Sequence, residues 1–126
     1  AGDRAEADAV RAALPSHTVL DLVGATSVGA AHGVLDAAQA FVTHDAGLLH
    51  VAGATRVPLV ALFGPTDPRV VAPRRPGVHV CWRPARATPC HDERTGRLTP
   101  CAAHCCMARL EVDEVLAALL ARLPTA

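Results

Sequence analysis

The apolar and polar positions change period several times along the chain, and each change marks an element. Residues 5–14 (AEADAVRAAL) are good helix formers with apolar positions at helical spacing, and Pro15 ends the run. Residues 18–23 (TVLDLV) predict a buried strand that stops at Gly24, before Thr26 or Ser27 can cap a helix over Val28–Gln39. A second β-branched and aromatic run, AFVTH at 40–44, leads through Asp45-Ala46-Gly47 into the helical stretch LLHVAGA. The continuous apolar run VPLVALF at 57–63 predicts a fully buried parallel strand, closed by the turn Gly64-Pro65-Thr66-Asp67-Pro68. VHVCW adds a short strand. Residues 83–108, rich in Pro, Arg and Cys, then lose all periodicity. It returns at 111–123 (EVDEVLAALLARL), where Val112, Val115, Leu116, Leu119, Leu120 and Leu123 share one face behind an acidic first turn. Alternating helices and strands with short connections predict an α/β fold, a parallel sheet flanked by helices.

Composition narrows what such a domain can do. At 126 residues the chain has room for one modest core and none for a two-domain enzyme. Hydrophobic residues at 51% against 19% charged exclude a disordered polyelectrolyte. The interior must be aliphatic, because Phe41, Phe63 and Trp82 are the only aromatic residues and Ala leads the apolar count. So few aromatic residues argue against a base-stacking nucleic-acid module. Net charge is +0, so no global field selects a polyanion or a membrane surface. No apolar run reaches the ~18–20 residues of a spanning helix, and no secretion signal opens the sequence, so the cytoplasm is the expected compartment. Periodic structure begins almost at Ala1, which suggests a fragment of a longer protein.

In open parallel sheets, ligands bind beyond the carboxyl ends of the strands. The run His44-Asp45-Ala46-Gly47-Leu48-Leu49-His50 falls at such an end. Gly47 allows close approach of a phosphate, Asp45 can accept from sugar hydroxyls, and His50 lies one turn further on. The blander readings are an Asp45 that caps the helix and a His50 that packs. The turn Phe63–Pro68 falls at the end of the next strand and opens on the same edge; there, too, Asp67 could simply cap the following segment.

Together these residues resemble a known family. The run THDAGLLHVAGATRVPLVALFGPTDP is similar to the C-terminal pattern of glycosyltransferase family 9, the ADP-heptose:lipopolysaccharide heptosyltransferases: D-T-G-x-x-H, an alanine-rich helix, then x-P-x-V-A-L-F-G-P-T-x-P. Upstream, Gly2 and Glu6 match its G-x-x-x-E spacing, and Ala25-Thr26-Ser27 its G-x-T-S helix start. Downstream, Cys106-Met107 and VDEV match its closing C-M motif. The resemblance implies the C-terminal lobe of a GT-B fold, Rossmann-like, with its first strand absent from this sequence and residues 1–126 forming a partial nucleotide-sugar-binding lobe.

It also implies roles. Asp45, Ala46, Gly47 and His50 would surround the diphosphate and sugar of the donor, Glu6 would reach the nucleoside, and Thr26 and Ser27 would line its base or ribose. The implied chemistry is inverting transfer of a sugar, heptose from ADP-heptose, to a lipopolysaccharide-core or other glycan acceptor. The catalytic base is expected in an N-terminal lobe, so no catalytic residue is assigned here beyond His50 as a leaving-group stabiliser, and the chain alone is expected to be incomplete as an enzyme. No cofactor is required for that chemistry; the protein would be cytoplasmic, reaching the inner membrane peripherally through its acceptor. Ala46 departs from the family Thr and removes a hydroxyl worth about 1–2 kcal/mol to a charged phosphate. The other readings are a non-catalytic nucleotide-sugar-binding remnant and a thiol-rich metal-binding module.

The third reading rests on Cys81, Cys90, Cys101, Cys105 and Cys106, which crowd the aperiodic insertion at 83–108 and its border together with His91 and His104. In a reducing compartment, free or buried thiols come first, a structural zinc or iron held by Cys90, Cys101, Cys105 and Cys106 second, and a disulfide last. Ala87 interrupts the first C-x-x-C that relatives carry. Five thiols leave one unexplained by any four-ligand site.

Overall fold

The computed structural model describes residues 3–14, 19–85, 89–92, 94–99, 101 and 105–124. The chain divides into two units, Ala1–Ala31 and His32–Ala126.

In the first unit, helix α1 (Asp3–Ala13) forms where the helical periodicity predicts it. Arg4 forks onto the Asp21 carboxylate at 2.8 and 2.9 Å. Residues 19–23 correct the sequence expectation: they form no strand, and Leu20 is 80% exposed. A strand needs neighbours for its N–H and C=O groups. Here Asp21 instead accepts from the Val23 N–H at 3.0 Å, and Ala25 N–H closes a turn onto Leu22 C=O at 3.1 Å around Gly24 at φ +72°. Such local side-chain bonds compete with extended structure. They hold the Asp21 carboxyl below its usual range, the Val23 N–H contributing most and Arg4 adding to it.

Helix α2 (Val28–Ala37) begins under a cap in which Ser27 Oγ accepts from Ala30 N–H at 3.2 Å. The second unit then builds a three-stranded parallel sheet from β1 (Phe41–His44), β2 (Leu59–Phe63) and β3 (Val78–Trp82), in that order. Phe41 lies opposite Leu59, and Leu59 opposite Val78. The run at 57–63 is buried on both faces, as its unbroken hydrophobicity predicts. Leu59, Ala61 and Phe63 point to one side, where Leu35 of α2 and Leu49 and Ala52 of α3 (Gly47–Gly53) complete a core. Val60 points to the other, where it meets Cys81 and Ala118 of α6 (Val112–Leu120).

The apolar stripe of α6 is wider than the surface it covers. Val115, Ala118 and Leu119 pack toward the sheet, whereas Val112 stays 79% exposed and Leu116 and Leu120 are also exposed. Arg75 ties α3 to β2: its guanidinium donates to the carbonyls of Ala52 at 3.0 Å and Val57 at 2.7 Å. Gly53 is required at the same corner, since a Cβ there would lie 2.9 Å from Pro73.

The aperiodic stretch is not a bare loop. It holds a two-stranded antiparallel hairpin, β4 (His91–Asp92) with β5 (Arg97–Leu98), and a short helix α5 (Cys105–Ala108). Asp92 organises the hairpin turn, accepting from Arg94 N–H at 2.9 Å and the Thr95 hydroxyl at 2.7 Å. Between β2 and β3, the short helix α4 (Pro68–Val71) follows the Phe63–Pro68 turn. No helix among the described residues is long and apolar enough to cross a membrane.

Candidate functional site

The carboxyl ends of β1 and β2 lie side by side, because the parallel register sets His44 opposite Leu62. Asp45 extends that ladder by one bond, its N–H donating to Leu62 C=O at 3.2 Å. Both polar turns therefore open at one edge of the sheet, as their spacing in the sequence predicts.

At the first turn, Ala46 rather than Asp45 is the N-cap of α3. Ala46 has extended backbone and no side-chain oxygen to offer, so the helix starts without a side-chain cap. The simple capping account of Asp45 does not hold. Its carboxylate is half-buried and has no hydrogen-bond or ion-pair partner among the described residues, and His50, exposed on α3, has none either. Gly47 has open space where a Cβ would point. These are groups positioned by a strand end and a helix start without being consumed by the fold.

The second turn is more enclosed. Asp67 does cap its segment, as the plain reading expected, accepting from Arg69 N–H at 2.9 Å and pairing with the Arg69 guanidinium at 2.7 Å. The Arg69 side-chain bonds are the largest cause holding the Asp67 carboxyl below its usual range. Arg69 also lies 5.9 Å from the ring centre of Trp82, whose indole N–H donates to Gly64 C=O at 3.4 Å. Thr66, only 9% exposed, keeps a buried hydroxyl with no hydrogen-bond partner among the described residues. Sequence reasoning passed over Thr66 and Trp82. The signal for Thr66 was its place between two prolines in a turn that otherwise looked purely structural.

The remaining residues named from the sequence fall in the first unit. Glu6 is exposed on α1, Thr26 is exposed, and Ser27 is engaged as the cap of α2. Gly2, Ala87 and His104 lie outside the described residues.

Cys90 and Cys106 are buried, while Cys101 and Cys105 are half-buried. Burial, then the nearby Cys106, Cys101 and Cys105, push the Cys90 thiol above its usual range. Burial also pushes up Cys81, which packs separately beneath α6. Among the described residues no three His, Cys, Asp or Glu side chains converge closely enough to hold a metal ion.

Comparison with known proteins gives this edge its context. The profile of glycosyltransferase family 9 (heptosyltransferase) matches residues 1–99. Lipooligosaccharide heptosyltransferase 2 of Haemophilus influenzae is 37% identical over 76 residues, 58% of this chain and 22% of the relative. Lipopolysaccharide heptosyltransferase 2 of Escherichia coli K12 is 45% identical over 53 residues, 42% of this chain and 15% of the relative. The solved structure of E. coli ADP-heptose lps heptosyltransferase II superposes with a TM-score of 0.75 at 28% identity, covering 96% of this chain and 33% of that one. The matches thus span 15–22% of the length of these curated relatives and 33% of the solved structure.

Proposed function

The chain belongs to glycosyltransferase family 9, and from that membership we propose that it is the donor-binding part of an inverting heptosyltransferase, taking heptose from ADP-heptose to a lipopolysaccharide-core or similar glycan. The observation that carries this reading is the polar set at the carboxyl edge of the sheet: Asp45 without a partner among the described residues, Gly47 with open space, and His50 exposed on α3.

In this reading an acceptor hydroxyl loses its proton to a general base and attacks the anomeric carbon from the face opposite the diphosphate. The new bond from oxygen to carbon forms as the bond from carbon to the diphosphate oxygen breaks, and the configuration inverts. The base is assigned to the part of the relatives that this chain does not span. The work of this chain is to hold the donor and meet the charge growing on the leaving diphosphate. Backbone N–H groups after Ala46, and His50 when protonated, supply donors there without a divalent cation. Asp45 would accept from the hydroxyls of the sugar. Ala46 contributes backbone alone, so phosphate contact rests on N–H groups. Glu6, Thr26 and Ser27 are assigned to the nucleoside, Ser27 through whatever capacity its capping bond leaves.

Calorimetric titration with ADP, ADP-heptose and uridine-diphosphate sugars tests this. Adenine nucleotides should bind, and Asp45→Ala or His50→Ala should weaken ADP-heptose by about tenfold, the loss of one or two charge-assisted contacts. Absence of any nucleotide binding by the wild-type chain, or unchanged affinity in both variants, would overturn it.

A further inference from the structure

The thiol-rich stretch and the Phe63–Pro68 turn are far apart in sequence, yet they share one set of bonds. Pro65 C=O accepts from two amides of the stretch, Cys90 N–H at 2.9 Å and His91 N–H at 3.1 Å. Those amides stand at the foot of the hairpin, whose other side closes when Thr99 N–H donates to Cys90 C=O at 2.7 Å. From α5, Met107 lies against Gly64 so closely that a Cβ there would be 2.7 Å from its sulfur, with Cys106 Sγ at 3.5 Å. From β3, the Trp82 indole takes the Gly64 carbonyl. The carbonyls of Gly64 and Pro65 are therefore both occupied, and Gly64 faces the sulfurs of Met107 and Cys106.

The described residues of the stretch bury little else. Between residues 83 and 108, Cys90 at 8% exposure and Cys106 at 5% are the buried hydrophobic side chains among those described. Both sit in the elements that grip the turn. A protonated cysteine packs as a small hydrophobe, and a segment with so little core gains order only from what it docks against.

We propose that the hairpin and α5 form a clamp on the Gly64–Asp67 turn, with Cys90, Cys106 and Met107 acting as positioning residues for the sheet edge that carries Asp45 and Gly47. In this proposal the thiols serve the clamp as packed groups rather than as ligands. Gly64 is the residue that lets Met107 approach. The part of the proposal that concerns ligand affinity rests on the donor-binding reading; the clamp itself does not.

Trp82 makes the clamp measurable, since it is the single Trp in a chain without Tyr. Met107→Ala and the pair Cys90→Ala/Cys106→Ala should move Trp82 emission to longer wavelength. In both, the Cys90 and His91 amides should exchange with deuterium at least about tenfold faster, while the β2 amides keep their protection, the pattern of a local opening. Met107→Leu, which preserves volume, should restore both signals. If the donor edge is as proposed, ADP-heptose affinity should fall up to tenfold in Met107→Ala, since small displacements of supporting residues misplace a site. Uniformly faster exchange throughout the sheet would reduce the three residues to general stabilisers and overturn positioning. Unchanged emission and exchange in Met107→Ala would overturn the clamp outright, whatever the nucleotide result. Untagged protein should carry zinc and iron far below one equivalent and expose its thiols only as the clamp opens. One tightly held equivalent, released by chelator together with a shift of Trp82 emission, would reassign the sulfurs to a metal.

Discussion

The sheet and the thiol-rich stretch are held together by opposite means. Along β2 every residue but Leu62 is buried, and its ladder partners on both sides are hydrophobic apart from Thr43, His44 and His79. Structure there is specified by burial, and polar bonds such as those of Arg75 only finish its corners. Residues 83–108 reverse the proportions. A turn built on Asp92, two amides on Pro65 C=O and two buried thiols do the work of a core. The difference teaches why one region is a scaffold and the other an attachment: removing area from water is cooperative across a sheet, whereas the described part of the stretch is ordered by individual polar bonds and two small buried side chains.

Truncation at matched buried positions separates the two regimes most strongly. Phe63 is fully buried at the centre of the larger core, and Phe63→Ala should cost about 3–5 kcal/mol in urea unfolding, transfer and cavity together. Cys90→Ala removes one sulfur and should cost only about 1 kcal/mol, close to one buried methylene. If Cys90→Ala proved as costly as Phe63→Ala, the stretch would belong to the core and the contrast would collapse.

The pH dependence sharpens the comparison from the thiol side. Cys90 and Cys81 are both raised, chiefly by burial, so the folded chain keeps their protons longer than the unfolded chain does. Stability from these groups is complete below the unfolded thiol value, about 8.5. It is lost as pH climbs from there through the folded values, because the unfolded chain then binds fewer protons than the native one. Chemical denaturation from pH 7 to 10 should therefore show a decline beginning above 8.5. Cys90→Ala should flatten part of it and Cys81→Ala another part. A curve indifferent to both changes would mean that the thiols are not buried as protonated groups.

The same contrast explains what could be read from the sequence. Helices α1, α2, α3 and α6 and strands β1, β2 and β3 follow from periodicity, because burial is what writes periodicity into a chain. The stretch at 19–23 departs from its pattern for the converse reason: its residues are apolar enough for a strand, but Asp21 accepts a local bond and Gly24 turns the backbone at positive φ, neither of which a pattern of hydrophobicity registers. Hairpin β4–β5 was invisible because its order comes from Asp92 and Pro65 rather than from alternation. At the site, the adjacency of the two turns was legible from strand order alone. That Ala46 takes the cap in place of Asp45 was not, since it depends on where the backbone turns from extended to helical.

Thr66 gives the smallest effect and the finest test. It sits in the turn where the two regions meet, buried, with a hydroxyl that bonds to nothing among the described residues. Such a group has given up water without compensation, a penalty of about 1–3 kcal/mol that folding already carries. Valine has nearly the same shape and no polar atom. Thr66→Val should therefore leave stability unchanged or raise it by up to about 1 kcal/mol, the opposite sign from an ordinary buried change. Thermal unfolding reads this directly, and a destabilisation beyond about 1 kcal/mol would show that the hydroxyl has a partner in solution. Paired with ADP-heptose titration, the same variant separates two kinds of orphan: if stability holds and affinity also holds, the hydroxyl is a cost of clamping the turn, whereas preserved stability with weaker binding would make Thr66 part of the donor edge.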